Sequence, residues 1–364
     1  MNLKQVNGVT FIDGGVCASK GFRANGIQCG LAHKPLNDTD ENSANAMPAK
    51  KKNDLALIVA DKECTASAVY TTNKVKGAPI LVTKEHIKNG KAKAIIVNSV
   101  NANTCNADGV QKAEKMCSLV ADEMGLNVDD VIVASTGVIG QILPIEPIAN
   151  GMKELVSGLT YDGNSRAVEA IMTTDTQVKE VAVQFELGGK TCTMGGMLKG
   201  SGMIHPNMAT MLVFVTSDVA ISPELLQKAL SDVVKITLNR VSVDGDTSTN
   251  DMVCVLANGT AENIPVTKEN QDFEKFVNAL YAVMMNLARK MARDGEGATK
   301  LIECVCHGAD DDKTAEIVAK SVITSSLFKA AMFGEDANWG RILCAVGYAD
   351  ADFDINKVDV SISS

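Results

Sequence analysis

Short apolar runs alternate with amphipathic helical patterns along this chain of 364 residues, and this mixture most constrains its fold. Each run has the length and the flanking turn residues of a buried or half-buried strand. Because strands and helices intermix without a long unbroken βα alternation, the pattern predicts an α+β fold. The predicted strands span residues 55–59, 94–97, 131–134, 178–185, 211–215, 252–256, 301–305 and 358–362.

Helical periodicity and turn residues complete this prediction. Apolar residues on one face indicate helices over about 107–124 and 269–291, and Ser222 followed by Pro223 is typical of a capped helix start. The pair Gly188-Gly189 between two strand-like segments predicts a hairpin, and therefore antiparallel pairing. We therefore expect a layered sandwich of mixed sheets flanked by helices.

The charge balance restricts the partners. The chain has 44 acidic residues against 35 Lys and Arg, a net charge of −9, whereas nucleic-acid binding depends on clustered basic residues. Small-molecule substrates fit this composition better. No stretch has the length of a membrane span, and the N-terminus lacks the layout of a signal peptide, so we expect a cytoplasmic protein that does not associate with membranes.

The cysteines predict no metal site. The ten cysteines are scattered singly, as expected for reduced thiols, and only Cys304-Val305-Cys306-His307 resembles a metal clip. Its spacing differs from the usual two-residue gap, and its alternation suits a strand, so we expect neither metal nor cofactor. A polar tract over 37–53, closed by the basic run at 50–52, is interpreted as a surface loop.

A glycine-rich turn enters the predicted strand at 211–215. Gly200 and Gly202 precede Pro206, which fixes its own φ, and Thr210 stands directly before the apolar run. If the turn presses the Thr210 hydroxyl onto the carbonyl of Ala209, the peptide bond can shift to an ester and hydrolyse. Thr210 would then carry both a nucleophilic hydroxyl and an α-amino base. A turn before a strand is also common without any chemistry, and the spacing alone leaves both interpretations open.

Several blocks of this sequence, in order, resemble the ornithine acetyltransferase family, the bifunctional glutamate N-acetyltransferases of arginine biosynthesis. The resemblance covers about residues 5–350. The blocks around Thr210 are KGSGMI and PNMATML, and the others are GFRA at 21–24, STGVIG at 135–140, IMTTDT at 171–176, VDGDTSTND at 243–251, GEGATK at 295–300 and NWGRI at 338–342.

The resemblance implies an N-terminal-nucleophile fold and self-cleavage between Ala209 and Thr210. It gives an α chain of residues 1–209 and a β chain of residues 210–364, assembled as two of each. Thr210 would take the acetyl group from N2-acetylornithine and pass it to glutamate by ping-pong covalent catalysis. By the same resemblance, Thr136 and Gly137 match the oxyanion hole, while Thr173, Lys199, Thr210 and Glu296 match the substrate-binding positions.

Three matters stay open at the level of sequence. Some relatives also accept acetyl-CoA as donor, and no residue separates the two groups. The same nucleophile would also serve an amidase or aminopeptidase, and a truncated, inactive relative would act as a binding protein. The chain stops near the predicted strand at 358–362, where the family pattern continues with an asparagine and a hydroxyl residue of the substrate site, so we expect that part of the pocket to be missing.

Overall fold

The computed structural model describes residues 2–31, 52–205 and 211–364. Ala209, Thr210 and most of the tract over 37–53 therefore lie outside the described residues. The strands are β1 (Val9–Ile12), β2 (Phe22–Ile27), β3 (Leu55–Tyr70), β4 (Lys91–Asn98), β5 (Val131–Ser135), β6 (Lys179–Leu187), β7 (Lys190–Lys199), β8 (Leu212–Ser217) and β9 (Met252–Ala257). The α-helices are α1 (Ala78–His86), α2 (Gly109–Met124), α3 (Glu146–Ser157), α4 (Asn164–Ile171), α5 (Pro223–Ile236), α6 (Gln271–Arg293), α7 (Asp312–Thr324), α8 (Ser326–Phe333) and α9 (Trp339–Gly347).

The described strands form one mixed sheet in the order β1-β6-β7-β8-β9-β3-β4-β5, with β2 also paired to β3. The pairs β4/β5 and β8/β9 are parallel and the others are antiparallel. Strand β3 is long, and its register with β4 shifts between Val59 and Cys64. Such a bulge bends a strand. It lies between the part of β3 that pairs with β2 and the part that pairs with β9.

The two halves of the sheet pack on each other. One buried cluster joins Ile58 and Ile95 of the β2–β5 half to Met197, Phe214 and Cys254 of the β7–β9 half. Alternate residues of β8 and β9 point to a second cluster beneath α5 and α6, and a third lies between β3–β5 and α2 and α3. Both faces of the central strands are therefore buried, which explains why these strands are continuous apolar runs in the sequence. The predicted α+β layered sandwich is confirmed.

The hairpin and the three predicted helices are confirmed, with ends that differ by a few residues. Leu187 pairs with Lys190 across the two glycines, and the Ser222 side chain accepts a hydrogen bond from the Leu225 N–H. The predicted strands did not include β1, β2 or β7, although the hairpin implied a strand after Gly189. Strand β2 was not predicted because its polar Asn25 and its Gly26 interrupt the apolar pattern. Gly26 lies against α4, where an added Cβ would be 2.0 Å from the Arg166 carbonyl oxygen.

Two predicted strands, over 301–305 and 358–362, are wrong. The first alternates as expected, with Ile302 and Cys304 packed against the small apolar cluster of α7–α9 and Val305 exposed. Neither segment pairs with a neighbouring strand among the described residues. The alternation of apolar and polar residues indicates which side chains are buried. A strand also needs a hydrogen-bonded partner strand, which the local sequence does not specify.

In the described parts of the chain, no helix is long and apolar enough to cross a membrane.

Candidate active site

A cavity of about 910 Å³ brings together the sequence-predicted site residues that the structure describes. Its wall includes residues that lie far apart in the chain and come from the ends of several strands. The predicted residues among them are Thr136, Gly137, Thr173, Lys199 and Glu296. The catalytic and binding roles of these residues remain predictions.

The predicted oxyanion pair lies directly after β5. The Thr136 N–H donates to the carbonyl of Asn98 at the end of β4, which continues the parallel pairing for one more residue. Gly137 has a φ of 129°, and a Cβ there would lie 2.1 Å from the Val100 carbonyl oxygen. Only glycine fits this position. Among the described residues, neither the Thr136 hydroxyl nor the Gly137 N–H makes a hydrogen bond, so both are available to a ligand oxygen.

The Val100 backbone lies against Gly137. Its φ is not positive, so a valine fits without strain, and its carbonyl accepts the Val138 N–H at 3.1 Å. The backbone of residue 100, rather than its side chain, therefore holds the oxyanion turn.

Asn250 ties this turn to the start of β9. Its side-chain N–H group donates to the carbonyls of Ser135 (2.9 Å) and Ala102 (2.6 Å), and its oxygen accepts from the hydroxyls of Thr104 and Thr249. All hydrogen-bonding positions of this buried amide on the described chain are therefore used.

Lys199 is the last residue of β7, and the antiparallel register pairs it with Leu212 at the start of β8. Residue 210 precedes Leu212 by two positions, so the predicted nucleophile stands in sequence just before the strand that Lys199 pairs with. The next residue, Met211, is buried, and its N–H donates to an Asp251 carboxylate oxygen at 2.8 Å.

Glu296 lies against the glycine-rich turn. An added Cβ at Gly202 would be 2.5 Å from the Glu296 carboxyl carbon, so a glycine is needed for close approach rather than for unusual backbone angles. The left-handed residue of this turn is Met203, with a φ of 61°. Its N–H and that of Ile204 donate to the Asp244 carboxylate, which holds this unfavourable conformation.

Thr173 follows α4, and Lys52 reaches it from across the cavity. The Lys52 ammonium donates to the carbonyls of Met172 (2.7 Å) and Thr173 (3.2 Å). Lys52 ends the basic run that the sequence placed in a surface loop. Its side chain is exposed and also forms part of the cavity wall.

Both signs of charge line the cavity. Lys52 and Lys199 are the cationic residues of its wall, and the acidic ones are Asp54, Asp244, Asp246 and Glu296. Burial lowers the pKa of the Lys199 ammonium, and the carboxylates of Asp175 and Asp251 oppose this shift. A wall of this kind suits a substrate that carries an ammonium and a carboxylate.

Asp251 is fully buried beside Met211, the residue that follows the predicted nucleophile in sequence. One of its carboxylate oxygens accepts the Met211 N–H, and the other has no hydrogen-bond partner among the described residues. Burial raises the pKa of Asp251 well above its ordinary value, although the Met211 N–H and Lys199 oppose the shift.

Sequence reasoning assigned no role to Asp175, Asn250 or Asp251, although all three stand in blocks that carry the resemblance. Asp294, one residue before the GEGATK block, was also missed. These polar residues lie in or beside glycine- and threonine-rich segments, which are visible in the sequence. Their burial, which would have singled them out, is visible only in the folded chain. Asn356 and Ser363, the asparagine and serine near the predicted strand at 358–362 that would have to replace the expected pair, do not line the cavity.

A second cavity of about 830 Å³ lies between α6 and the C-terminal helices, and Glu296 is the one predicted site residue in its wall. Within residues 2–31, 52–205 and 211–364, no group of three or more His, Cys, Asp or Glu side chains is placed to hold a metal ion.

Comparison with known proteins gives a consistent result. The sequence model of the ArgJ family matches residues 41–364. The arginine biosynthesis bifunctional protein ArgJ of Caldanaerobacter subterraneus subsp. tengcongensis is 46% identical over 354 residues, which are 97% of this chain and 84% of that protein. ArgJ 1 of Clostridium acetobutylicum is 48% identical over 88% of this chain and 79% of its own length. The crystal structure of ArgJ from Bacillus halodurans is 41% identical, covers 55% of this chain and 98% of the solved chain, and has a TM-score of 0.48.

Proposed function

Because this chain belongs to the ArgJ family, we propose that it transfers an acetyl group from N2-acetylornithine to glutamate through an acetyl ester on Thr210. The family resemblance inferred from sequence blocks is confirmed, and with it an acetyltransferase of arginine biosynthesis. The donor, the acceptor, the self-cleavage and the residue roles are the proposal.

One observation carries the proposal most directly. The residues that match the oxyanion hole and the described residues that match the substrate site line a single cavity, although they come from four separate segments. That cavity includes Lys199, whose register partner Leu212 follows Thr210 by two residues. A nucleophile, two donors for an oxyanion and charged groups of both signs are the parts that acyl transfer between amino acids requires.

Self-cleavage comes first in the proposed mechanism. The Thr210 hydroxyl oxygen attacks the Ala209 carbonyl, the peptide C–N bond breaks as its nitrogen takes up a proton, and water hydrolyses the ester. The products are an α chain of residues 1–209 and a β chain of residues 210–364 that begins with Thr210. Its free α-amino group, with a reference pKa of about 7.7–8.0, then serves as the base for its own hydroxyl.

Acetyl transfer follows in two steps. Thr210 attacks the acetyl carbonyl of N2-acetylornithine while Thr136 and Gly137 donate to the developing oxyanion, and ornithine leaves as the amine with a proton from the base. The amine of glutamate then attacks the ester, and N-acetylglutamate leaves as Thr210 regains its proton. Thr173, Lys199 and Glu296 bind the charged ends of the two amino acids.

The test of cleavage is intact mass with N-terminal sequencing. We expect two fragments, the second beginning with Thr210, and one uncut chain for T210A. The matched variant T210S keeps a hydroxyl and should still be cut. A single uncut wild-type chain would overturn the mechanism.

The test of transfer is incubation of the cleaved protein with N2-acetylornithine and glutamate. We expect N-acetylglutamate. Free acetate without N-acetylglutamate would instead identify an amidase with the same nucleophile. Replacing the donor by acetyl-CoA tests the second activity of bifunctional relatives, and native mass measurement tests the proposed assembly of two α and two β chains.

A further inference from the structure

A buried charged cluster lies behind the wall of the candidate active site. Lys179 at the start of β6 has a fully buried side chain and donates to Asp175 at 2.7 Å and to Asp294 at 2.5 Å. Both carboxylates are also buried. Fully buried lysines are rare, and a buried ion pair contributes little to stability compared with apolar residues of similar volume. The contacts of the two carboxylates indicate another role.

Asp175 holds two segments of the cavity wall. One carboxylate oxygen accepts the N–H of Thr173 at 3.0 Å, and the other accepts the N–H of Gly200 at 2.8 Å. Thr173 is a predicted substrate residue, and Gly200 directly follows Lys199, which is another. A single side chain therefore fixes the backbone at two predicted substrate contacts.

Asp294 contacts the third segment of the cavity wall, which carries Glu296. Its carboxylate accepts the N–H groups of Thr176 and Gln177 and the Thr176 hydroxyl, which anchors it to the segment after Thr173. Its own carbonyl accepts the Ser201 hydroxyl at 2.7 Å, and the N–H of Glu296 donates to the Ser201 carbonyl at 3.0 Å. Asp294 thus joins the segment after Thr173, through its carboxylate, to the turn that carries Ser201 and Glu296, through its carbonyl.

Lys199 links the cluster to the cavity wall electrostatically. Burial opposes ionisation of Asp175, but Lys199 and Lys179 hold the pKa of this carboxyl below its ordinary value. Burial likewise opposes ionisation of Asp294, and its hydrogen bond from Lys179 lowers the pKa below the ordinary value. Lys179 thus acts on both carboxylates, and Lys199, which belongs to the cavity wall, acts on Asp175.

We propose that Asp175, Lys179 and Asp294 are positioning residues that set the separation of Thr173, Lys199 and Glu296, and thereby the fit of the site to the charged ends of an amino-acid substrate. This inference rests on the proposed function, which assigns those three residues to substrate. The oxyanion pair is held separately by Asn98, Val100 and Asn250.

The test uses K179M, which keeps the length of the side chain and removes its charge, and D294N, which keeps its shape. The matched control is D218N, because Asp218 is a fully buried carboxylate that accepts the Thr193 N–H at 2.7 Å and does not line the cavity. For each self-cleaved protein, calorimetric titration gives the Kd for ornithine, steady-state kinetics with N2-acetylornithine and glutamate gives KM and kcat, and thermal unfolding gives Tm.

We expect K179M and D294N to lower Tm and to raise the Kd for ornithine and the KM, with kcat/KM falling about 10²-fold, as for a misplaced binding group. D218N should leave the Kd and the KM unchanged. If K179M does not fold, the same measurements on D294N alone test the proposal. Unchanged Kd and KM in both cluster variants, with only Tm lowered, would overturn the positioning role. A wild-type protein that neither binds ornithine nor turns over N2-acetylornithine would overturn the proposed function, and this inference with it.

Discussion

At the scale of single residues, glycine is required at two places around the site for two different reasons. Gly137 combines a left-handed φ with close contact to the Val100 carbonyl, whereas Gly202 has an ordinary φ and leaves room for the Glu296 carboxylate. The first requirement concerns the backbone and cannot relax. The second concerns the end of a flexible side chain, which can move but then leaves its place in the cavity.

We expect G137A to abolish most turnover, with kcat lower by about 10²–10³-fold, because the N–H of residue 137 loses its direction toward the oxyanion. The matched control is G140A. Gly140 also has a positive φ, of 81°, but a Cβ there meets no atom within 4 Å. Both variants should lose stability from backbone strain, on the order of 1–3 kcal/mol. Equal kcat values for the two would contradict this assignment of the oxyanion hole.

We expect G202A to raise the KM for N2-acetylornithine, because the new methyl group displaces the Glu296 carboxylate. Steady-state kinetics in two backgrounds checks the cause. In the wild-type background G202A should raise the KM. In an E296A background it should raise the KM almost no further, since the carboxylate that it would displace is already absent. Additive effects of the two substitutions would show that the methyl group acts elsewhere.

At the scale of elements, strand ends and their registers assemble the site. The parallel pairing of β4 with β5 brings Asn98 beside Ser135 and starts the oxyanion turn, and the antiparallel pairing of β7 with β8 puts Lys199 opposite Leu212. The loops that follow these ends are then joined by Asn250, whose amide bridges the turns after β4 and β5 at the entrance to β9.

We expect N250D to lower kcat more than it raises KM, because it puts a carboxylate oxygen against the carbonyls of Ala102 and Ser135 and so displaces the oxyanion turn. It should also cost stability on the order of 1–3 kcal/mol for each unsatisfied group. The control is N258D, in which a buried amide that donates to the Lys20 carbonyl at 2.8 Å, away from the cavity, loses the same donor. Urea unfolding and kinetics compare them, and the kcat of N258D should stay near that of wild type.

At the scale of the whole molecule, the proposed cleavage position lies between two strands that stay paired. Strand β7 belongs to the segment 1–209 and β8 to the segment 210–364, and their ladder runs from Met194 opposite Ser217 to Lys199 opposite Leu212. The apolar cluster beneath α5 and α6 also takes residues from both segments.

We therefore expect the two fragments of the cleaved protein to elute together in native size-exclusion chromatography and to separate only in denaturant. Backbone pairing and core burial join them without the covalent bond. Fragments that separate in native buffer would contradict this arrangement of β7 and β8.

The pH dependence of stability has two opposite contributions. The raised pKa of Asp251 gives stability that is present below the unfolded pKa of about 3.8 and is lost as the pH rises through the folded pKa. The lowered pKa of Asp294 gives stability that is present above the unfolded value of 3.8 and is lost as the pH falls through the folded pKa.

Urea unfolding from about pH 2 to about pH 8 should therefore separate two variants. The free energy of unfolding of D251N should rise relative to wild type as the pH rises. D294N should cost on the order of 3–5 kcal/mol near neutral pH, and less in acid. The same pH trend in both variants would contradict the opposite signs of the two shifts.

The sequence by itself determined the class of fold, most of the central strands and the blocks that identify the family, because apolar periodicity and turn residues are local and the blocks survive as linear strings. Thr136, Gly137, Thr173, Lys199 and Glu296 could be singled out in this way. Only the tertiary structure decided that they share one cavity, since strand register and the fold of the sheet onto itself bring distant residues together. It also decided that Lys179 lies buried between Asp175 and Asp294, and that the segments at 301–305 and 358–362 lack a strand to pair with. Burial and pairing depend on partners elsewhere in the chain, and no local pattern encodes them.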